Sequence, residues 1–143
     1  MFKNVLVPID LAEPDFSRKA VELALREAEQ NGAKLHFMTV VQGYNNALVA
    51  SYFSESDHKK AVEAVAKELK QWAEKTIPSS VDVTLRVYEG QPAESVLYYA
   101  KKRDIDLIIM AAHNRSRVNE FLMGSTSHRV VDRSSCSVLV LRD

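Results

Sequence analysis

The sequence predicts a doubly wound α/β fold, with a mainly parallel five-stranded sheet and helices on both faces. Short apolar runs alternate with segments whose apolar residues recur every three or four positions, along all 143 residues. A regular alternation of strands and helices implies right-handed crossovers that cover both sides of a parallel sheet. The length suits one domain with a real core, and no repeat or low-complexity tract divides the chain. We therefore expect a single domain over residues 1–143.

The five predicted strands are rich in β-branched and other apolar residues. Most are continuous apolar runs, typical of strands buried on both faces, whereas the third alternates. The predicted strands are Asn4–Ile9, Leu35–Val41, Val81–Tyr88, Asp106–Ala112 and Cys136–Leu141.

The predicted helices begin and end at residues that are typical of helix termini. Pro14 suits the start of the first helix, where its missing N–H costs nothing, and Asn31-Gly32 ends that helix. Residues 42–54 have no clear period and predict a surface loop. Ser56 or Asp57 is expected to cap the second helix, a surface element with a solvated Lys/Glu face that stops at Pro78-Ser79-Ser80. The remaining helices are expected over Gln91–Arg103 and from about Ser125.

Composition excludes several classes of protein. Lys plus Arg and Asp plus Glu both number 19, so no bulk charge attracts nucleic acid or an anionic membrane. The apolar run at the N-terminus is broken by Pro8 and Asp10 and is too short for a signal peptide or a membrane span. The single Cys136 permits no intramolecular disulfide and is expected to pack in an apolar strand. We expect a cytoplasmic protein that binds neither nucleic acid nor membrane.

The region from Asp106 to Val131 is the most informative part of the sequence. An apolar strand leads into a polar loop and then into a helix through Gly124-Ser125-Thr126-Ser127. The first N–H groups of a helix are unpaired and carry partial positive charge, so a phosphate can bind there, close to a glycine that has no Cβ. Helix capping alone would explain one of the three hydroxyl residues. Arg115 and Arg117 in the loop either offset phosphate charge or are simply solvated.

Residues at other strand ends have two interpretations. Asp10 either accepts hydrogen bonds from a ribose or an adenine amino group, or is a helix N-cap or loop residue. Val40 either offers its backbone to a base edge or is plain core. Gly90 is expected to allow a tight turn before Pro92. His113 and His128 lack a second ligand at metal spacing, so we expect no metal site built from side chains.

These residues together resemble the universal stress protein family. The similarity is carried by VLVPID, EGQPAESVLYYA, DLIIMAAH, GSTSHRVV and CSVLVL, in that order, and it spans nearly the whole chain. The resemblance implies an adenine nucleotide alpha hydrolase-like fold with strand order 3-2-1-4-5. It also implies a homodimer in which the last strand, Val138 to Leu141, pairs across the two-fold axis.

One branch of that family binds ATP through Gly, two residues, Gly, nine residues, then Gly-Ser or Gly-Thr. The spacing is intact here, but the two first glycines are replaced by Ala111 and Asn114, followed by Gly124-Ser125. Ala111 adds one methyl group, and Asn is among the few residues that visit left-handed backbone conformations readily. By resemblance, the residues that contact the nucleotide are Pro8, Ile9, Asp10, Val40, Met110, Ala111, Asn114, Gly124, Ser125, Thr126 and Ser127.

Three functions remain open at this level. The first is an ATP-binding regulatory protein of the stress response, with Mg²⁺ bound through the phosphates. We expect no efficient turnover of ATP in this case, since Walker-type and Gly-x-Ser-x-Gly motifs are absent from the sequence. The second is a slow ATPase or self-phosphorylating protein with Ser125 or Ser127 near the terminal phosphate. The third is a dimeric interaction module without nucleotide.

Overall fold

The computed structural model describes residues 1–42, 54–112 and 124–142. Strands and helices alternate along the chain, and a 3₁₀ turn over Pro14–Ser17 leads into the first helix. The elements are β1 (Asn4–Pro8), α1 (Arg18–Asn31), β2 (Lys34–Gln42), α2 (Glu55–Thr76), β3 (Val83–Gly90), α3 (Pro92–Lys102), β4 (Leu107–Ala111), α4 (Ser125–Arg133) and β5 (Ser137–Leu141). The predicted alternation is confirmed.

The five strands form one parallel sheet in the order β3-β2-β1-β4-β5. Val5 of β1 lies opposite Leu35 on one side and Leu107 on the other. Strands β2 and β3 follow β1 toward one edge of the sheet, and β4 and β5 lie on its other side toward the opposite edge. Strand order therefore reverses between β1 and β4. Ligands of open α/β sheets bind outside the carboxyl ends of the strands at this point.

Both faces of the sheet are covered by helices, as predicted. Val5 and Val7 of β1 belong to a core shared with α1, whereas Leu6 between them belongs to a core shared with α3. This alternation follows from the two-residue period of a strand. All three side chains are fully buried, so truncating any of them would cost about 2–4 kcal/mol of folding free energy.

The second helix begins earlier than the sequence suggested. Ser54, rather than Ser56 or Asp57, is the N-cap: its Oγ accepts from the Asp57 N–H at 3.1 Å, and the Asp57 carboxylate accepts from the Ser54 N–H at 3.2 Å. This reciprocal capping box uses Asp57 as the third helical residue. Only Leu69 and Ala73 of α2 are buried, which confirms its surface position.

The third and last strands begin later than predicted, each because a turn precedes the strand. The Val81 N–H donates to the Pro78 carbonyl at 3.1 Å, and β3 starts at Val83. Similarly, the Cys136 N–H donates to Ser134 Oγ at 3.1 Å, and β5 starts at Ser137. Cys136 is therefore a half-buried residue beside the core rather than a strand residue.

A buried polar group links three elements on the α3 side of the sheet. His36 on β2 is only 4% exposed, and its Nδ1 lies 2.7 Å from the Tyr99 hydroxyl on α3. Its Nε2 lies 3.4 Å from Asn4 Oδ1 on β1. Because an amide oxygen only accepts, the neutral ring donates from Nε2 and accepts the Tyr99 proton at Nδ1. Burial, with help from the Arg103 charge, lowers the pKa of His36 from its ordinary value of 6.5.

Candidate functional site

A cavity of about 500 Å³ opens at the carboxyl ends of β1, β2 and β4, where strand order reverses. Its size falls within the usual range for small-molecule sites. Strand ends form its base, and the starts of α1, α3 and α4 surround them. The position predicted from strand order alone is therefore the position of the cavity.

The end of β1 lies at the centre of the cavity wall and contributes Pro8, Ile9 and Asp10. The Ile9 N–H donates to the Met38 carbonyl at 2.7 Å, which fixes the strand end against β2. Asp10 Oδ1 accepts from the Ala12 N–H at 2.9 Å, an arrangement typical of an Asx turn. The Asp10 carboxylate therefore stabilises a turn and also lines the cavity, and its contact with a ribose or an adenine amino group stays a prediction.

Neighbouring strand ends give the cavity a largely apolar wall. Met38 and Val40 come from β2, and Met110 and Ala111 come from β4. Val40 is half-buried, packs against the core and lines the cavity, and its backbone contact with a base edge stays a prediction. An apolar wall of this kind suits a flat ring system, while the polar groups nearby would fix its orientation.

The start of α4 forms the opposite part of the cavity. Gly124 is the N-cap, and the first helical hydrogen bond runs from the His128 N–H to the Gly124 carbonyl at 2.9 Å. The N–H groups of Ser125, Thr126 and Ser127 consequently have no carbonyl partner within the helix. These three residues line the cavity, so the positive end of the helix faces it.

Two details at this helix differ from the sequence interpretation. The N-cap residue of α4 is Gly124, which has no side chain to cap the helix, so the interpretation that capping explains one of the hydroxyl residues is wrong. Gly124 has φ −54° and ψ 151°, a conformation open to any residue. The glycine is therefore not required by the backbone, and its contribution to a ligand site would be the missing Cβ alone.

The structure brings together every predicted contact residue that it describes. Asn114 lies outside the described residues, as do Arg115, Arg117 and His113. Six further residues line the cavity without having been predicted as nucleotide contacts: Phe16, Ser17, Met38, Thr39, Pro92 and Val96. Phe16 and Ser17 follow Asp10 in the β1–α1 connection, which is the sequence signal that would have identified them. Gly90 has φ 141°, which confirms its structural role in the turn before α3.

The described ranges contain no group of three or more His, Cys, Asp or Glu side chains placed to hold a metal ion. Within the same ranges, none of the helices has the length and apolarity needed to cross a membrane.

A parallel sheet in this order, with a cavity at its switch point, defines the adenine nucleotide alpha hydrolase-like class of α/β proteins. The chain belongs to the universal stress protein family, whose model matches residues 1–142. It is 28% identical to universal stress protein YxiE of Bacillus subtilis, over 99% of this chain and 100% of that protein. It also matches the solved structure of MJ0577 from Methanocaldococcus jannaschii with a TM-score of 0.78 and 23% identity, over 100% of this chain and 97% of that one.

Two similar structures hold adenine nucleotides. One is a universal stress protein in complex with cAMP, with a TM-score of 0.68 and 23% identity over 99% of this chain and 97% of that one. The other is the Archaeoglobus fulgidus universal stress protein in complex with dAMP, with a TM-score of 0.59 and 12% identity over 96% of both chains. At these identities the likeness shows the shared fold.

Proposed function

We propose that this protein is an ATP-binding regulatory protein of the cytoplasmic stress response. The nucleotide occupies the cavity at the ends of β1, β2 and β4, and its presence stabilises one conformation or dimer geometry. The observation that carries the proposal is the positive end of α4, without any side-chain cap, facing an apolar-walled cavity of about 500 Å³.

The residues present fit an adenine nucleotide from one end to the other. The apolar wall at Met38 and Val40 takes the base, and Asp10 accepts hydrogen bonds from the ribose hydroxyls. The N–H groups that begin α4, together with the hydroxyls of Ser125 and Thr126, donate to the phosphates. Mg²⁺ enters bound to the phosphates, whose oxygens are the hard ligands that it prefers.

The relatives support a nucleotide in this class of site. Two universal stress proteins with the same fold have been solved with cAMP and with dAMP. Both ligands carry an adenine base and one phosphate, the two groups for which we propose the apolar wall and the start of α4.

Isothermal titration of nucleotide-stripped protein with ATP and Mg²⁺ tests the proposal. Saturable binding near one site per chain is expected. Absence of heat up to millimolar ATP, with folding confirmed by circular dichroism, would refute it and leave the interaction module as the better account.

Turnover is tested separately. Product formation over time, compared between the wild type and Asp10→Ala, distinguishes the regulatory protein from a slow ATPase or a self-phosphorylating one. We expect no more than background hydrolysis and no phosphate transferred to Ser125 or Ser127.

The homodimer belongs to the same proposal. Among the described strands, β5 lies at one edge of the sheet beside β4, and Leu139 on it is 38% exposed. An apolar edge strand invites pairing with another chain, and a charge placed on it opposes pairing. Light scattering at micromolar concentration should give a dimer for the wild type and a monomer for Leu139→Lys, with Leu139→Met remaining dimeric. A wild-type monomer would refute pairing through β5.

A further inference from the structure

A second, shallow groove adjoins the cavity on the side of β5. It is lined by Phe16, Lys19, Ala111, Ala112, Leu141 and Arg142. Phe16 and Ala111 line the cavity as well, so the groove continues the cavity wall past the end of β4. The groove is too shallow to enclose a base or a sugar, and only the end of an extended ligand would contact it.

Sheet order places this groove in line with the proposed nucleotide. The ends of β2, β1, β4 and β5 follow one another along one edge of the sheet. With adjacent strands about 4.8 Å apart, the end of β5 lies about 14 Å from the end of β2. Because the groove continues the cavity through Phe16 and Ala111, an extended ligand in the cavity can reach Leu141 and Arg142.

The groove carries positive charge. Lys19 lies in the first turn of α1, and Arg142 directly follows β5. The end of β5 is held beside β4 by the pairing of Ala111 with Leu141 and by the hydrogen bond from the Ala112 N–H to the Leu141 carbonyl at 2.9 Å. Both side chains are exposed. Two cations on a surface of this kind suit a phosphate group, which accepts charge-assisted hydrogen bonds from both side chains.

We propose that Lys19 and Arg142 bind the outer phosphates of the nucleotide and so make the site prefer ATP over AMP. This inference rests on the proposed function and adds to it the feature that distinguishes nucleotides by phosphate number. The α-phosphate stays at the start of α4, common to all adenine nucleotides. The β- and γ-phosphates reach the groove, where their negative charge meets the two side chains.

The test compares adenosine, AMP, ADP and ATP by isothermal titration on wild type, Lys19→Gln, Arg142→Gln and the double variant. Because an exposed charge pair contributes up to about 1 kcal/mol, each substitution should weaken ATP binding by about fivefold and AMP binding by less than about twofold. The loss should grow from AMP to ATP and shrink in high salt. Arg142→Lys should retain most of the affinity for ATP.

Lys70→Gln is the matched control. It removes one exposed positive charge from α2, a helix that lines neither the cavity nor the groove. This variant should bind every nucleotide as the wild type does, which separates a local contact from a change in net charge.

The outcomes separate the two proposals. Wild type that binds AMP and ATP with equal affinity, or variants that lose AMP and ATP binding equally, would overturn the role of Lys19 and Arg142 while leaving the nucleotide site intact. Wild type that binds none of the four ligands would overturn the proposed function and this inference with it. A loss confined to ADP and ATP supports the inference.

Discussion

Replacing Gly124 by Asp changes the charge at the start of α4 with little effect on the fold. The N-cap has φ −54° and ψ 151°, so a non-glycine residue adopts this backbone without strain. Asp is a favoured N-cap and complements the positive end of a helix. We therefore expect Gly124→Asp to be as stable as the wild type, or more stable by a few tenths of a kcal/mol.

The same carboxylate would oppose a phosphate. At a separation of about 5 Å and an effective dielectric constant of about 20, two negative charges repel by about 3 kcal/mol, or about two orders of magnitude in the dissociation constant. The carboxylate also competes directly for the N–H groups of Thr126 and Ser127, the positions to which an N-cap side chain bonds. Both effects lower ATP affinity, and neither requires any loss of structure.

Gly124→Asn is the matched control because Asn has nearly the same size and capping ability but no charge. Thermal unfolding followed by circular dichroism should show the wild type and both variants folded. Isothermal titration with ATP and Mg²⁺ should then show that Gly124→Asp binds at least about tenfold more weakly than Gly124→Asn. The difference should be smaller at about 1 M salt, where charges are screened within about 3 Å. Equal affinities for the two variants would refute phosphate binding at this helix.

Two further predictions concern stability. The lowered pKa of His36 means that the unfolded chain binds a proton at this residue more readily than the folded chain does, so the free energy of unfolding should decrease as the pH falls below about 6.5. Urea unfolding between about pH 7.5 and 5 measures this change. If the free energy of unfolding of His36→Gln depends on pH as steeply as that of the wild type, another group is responsible. Ser54→Ala removes the cap of α2 and should cost about 1 kcal/mol, whereas Ser56→Ala, further along the first turn and outside the capping box, should cost far less; equal losses in the two variants would contradict the assignment of the cap.

The fold was predictable from sequence because its determinants are local and repeat along the chain. Apolar runs such as residues 107–111 and helical stripes such as that of α1 each specify one element, and their alternation specifies a parallel sheet. The order of the strands in the sheet was not predicted from local patterns but from the resemblance to the family. The wrong cap of α2 has a local reason: Ser54, Ser56 and Asp57 are all good caps in isolation, and only the reciprocal bond between Ser54 and Asp57 selects the first.

The candidate site was predictable only in part because its residues converge from distant positions. Those at strand ends, such as Asp10 and Met110, were accessible to sequence reasoning since parallel strands end at one edge. Val96 was not, because its place on the cavity depends on how α3 packs against the sheet. No periodicity in the sequence reports the angle at which a helix approaches a strand.

Backbone groups supply part of the proposed contacts, and this gives a physical reason why a change from the family pattern need not remove binding. The donors at the start of α4 are main-chain N–H groups, and the shape of the cavity comes from strand ends whose positions are fixed by sheet register. A replacement such as Ala111 for glycine adds a methyl group to the wall without removing any donor. Side chains, rather than backbone groups, determine how many phosphates the site binds. In our proposal, Lys19 and Arg142 provide this preference. Divergence among members of such a family should therefore alter ligand preference before it removes ligand binding.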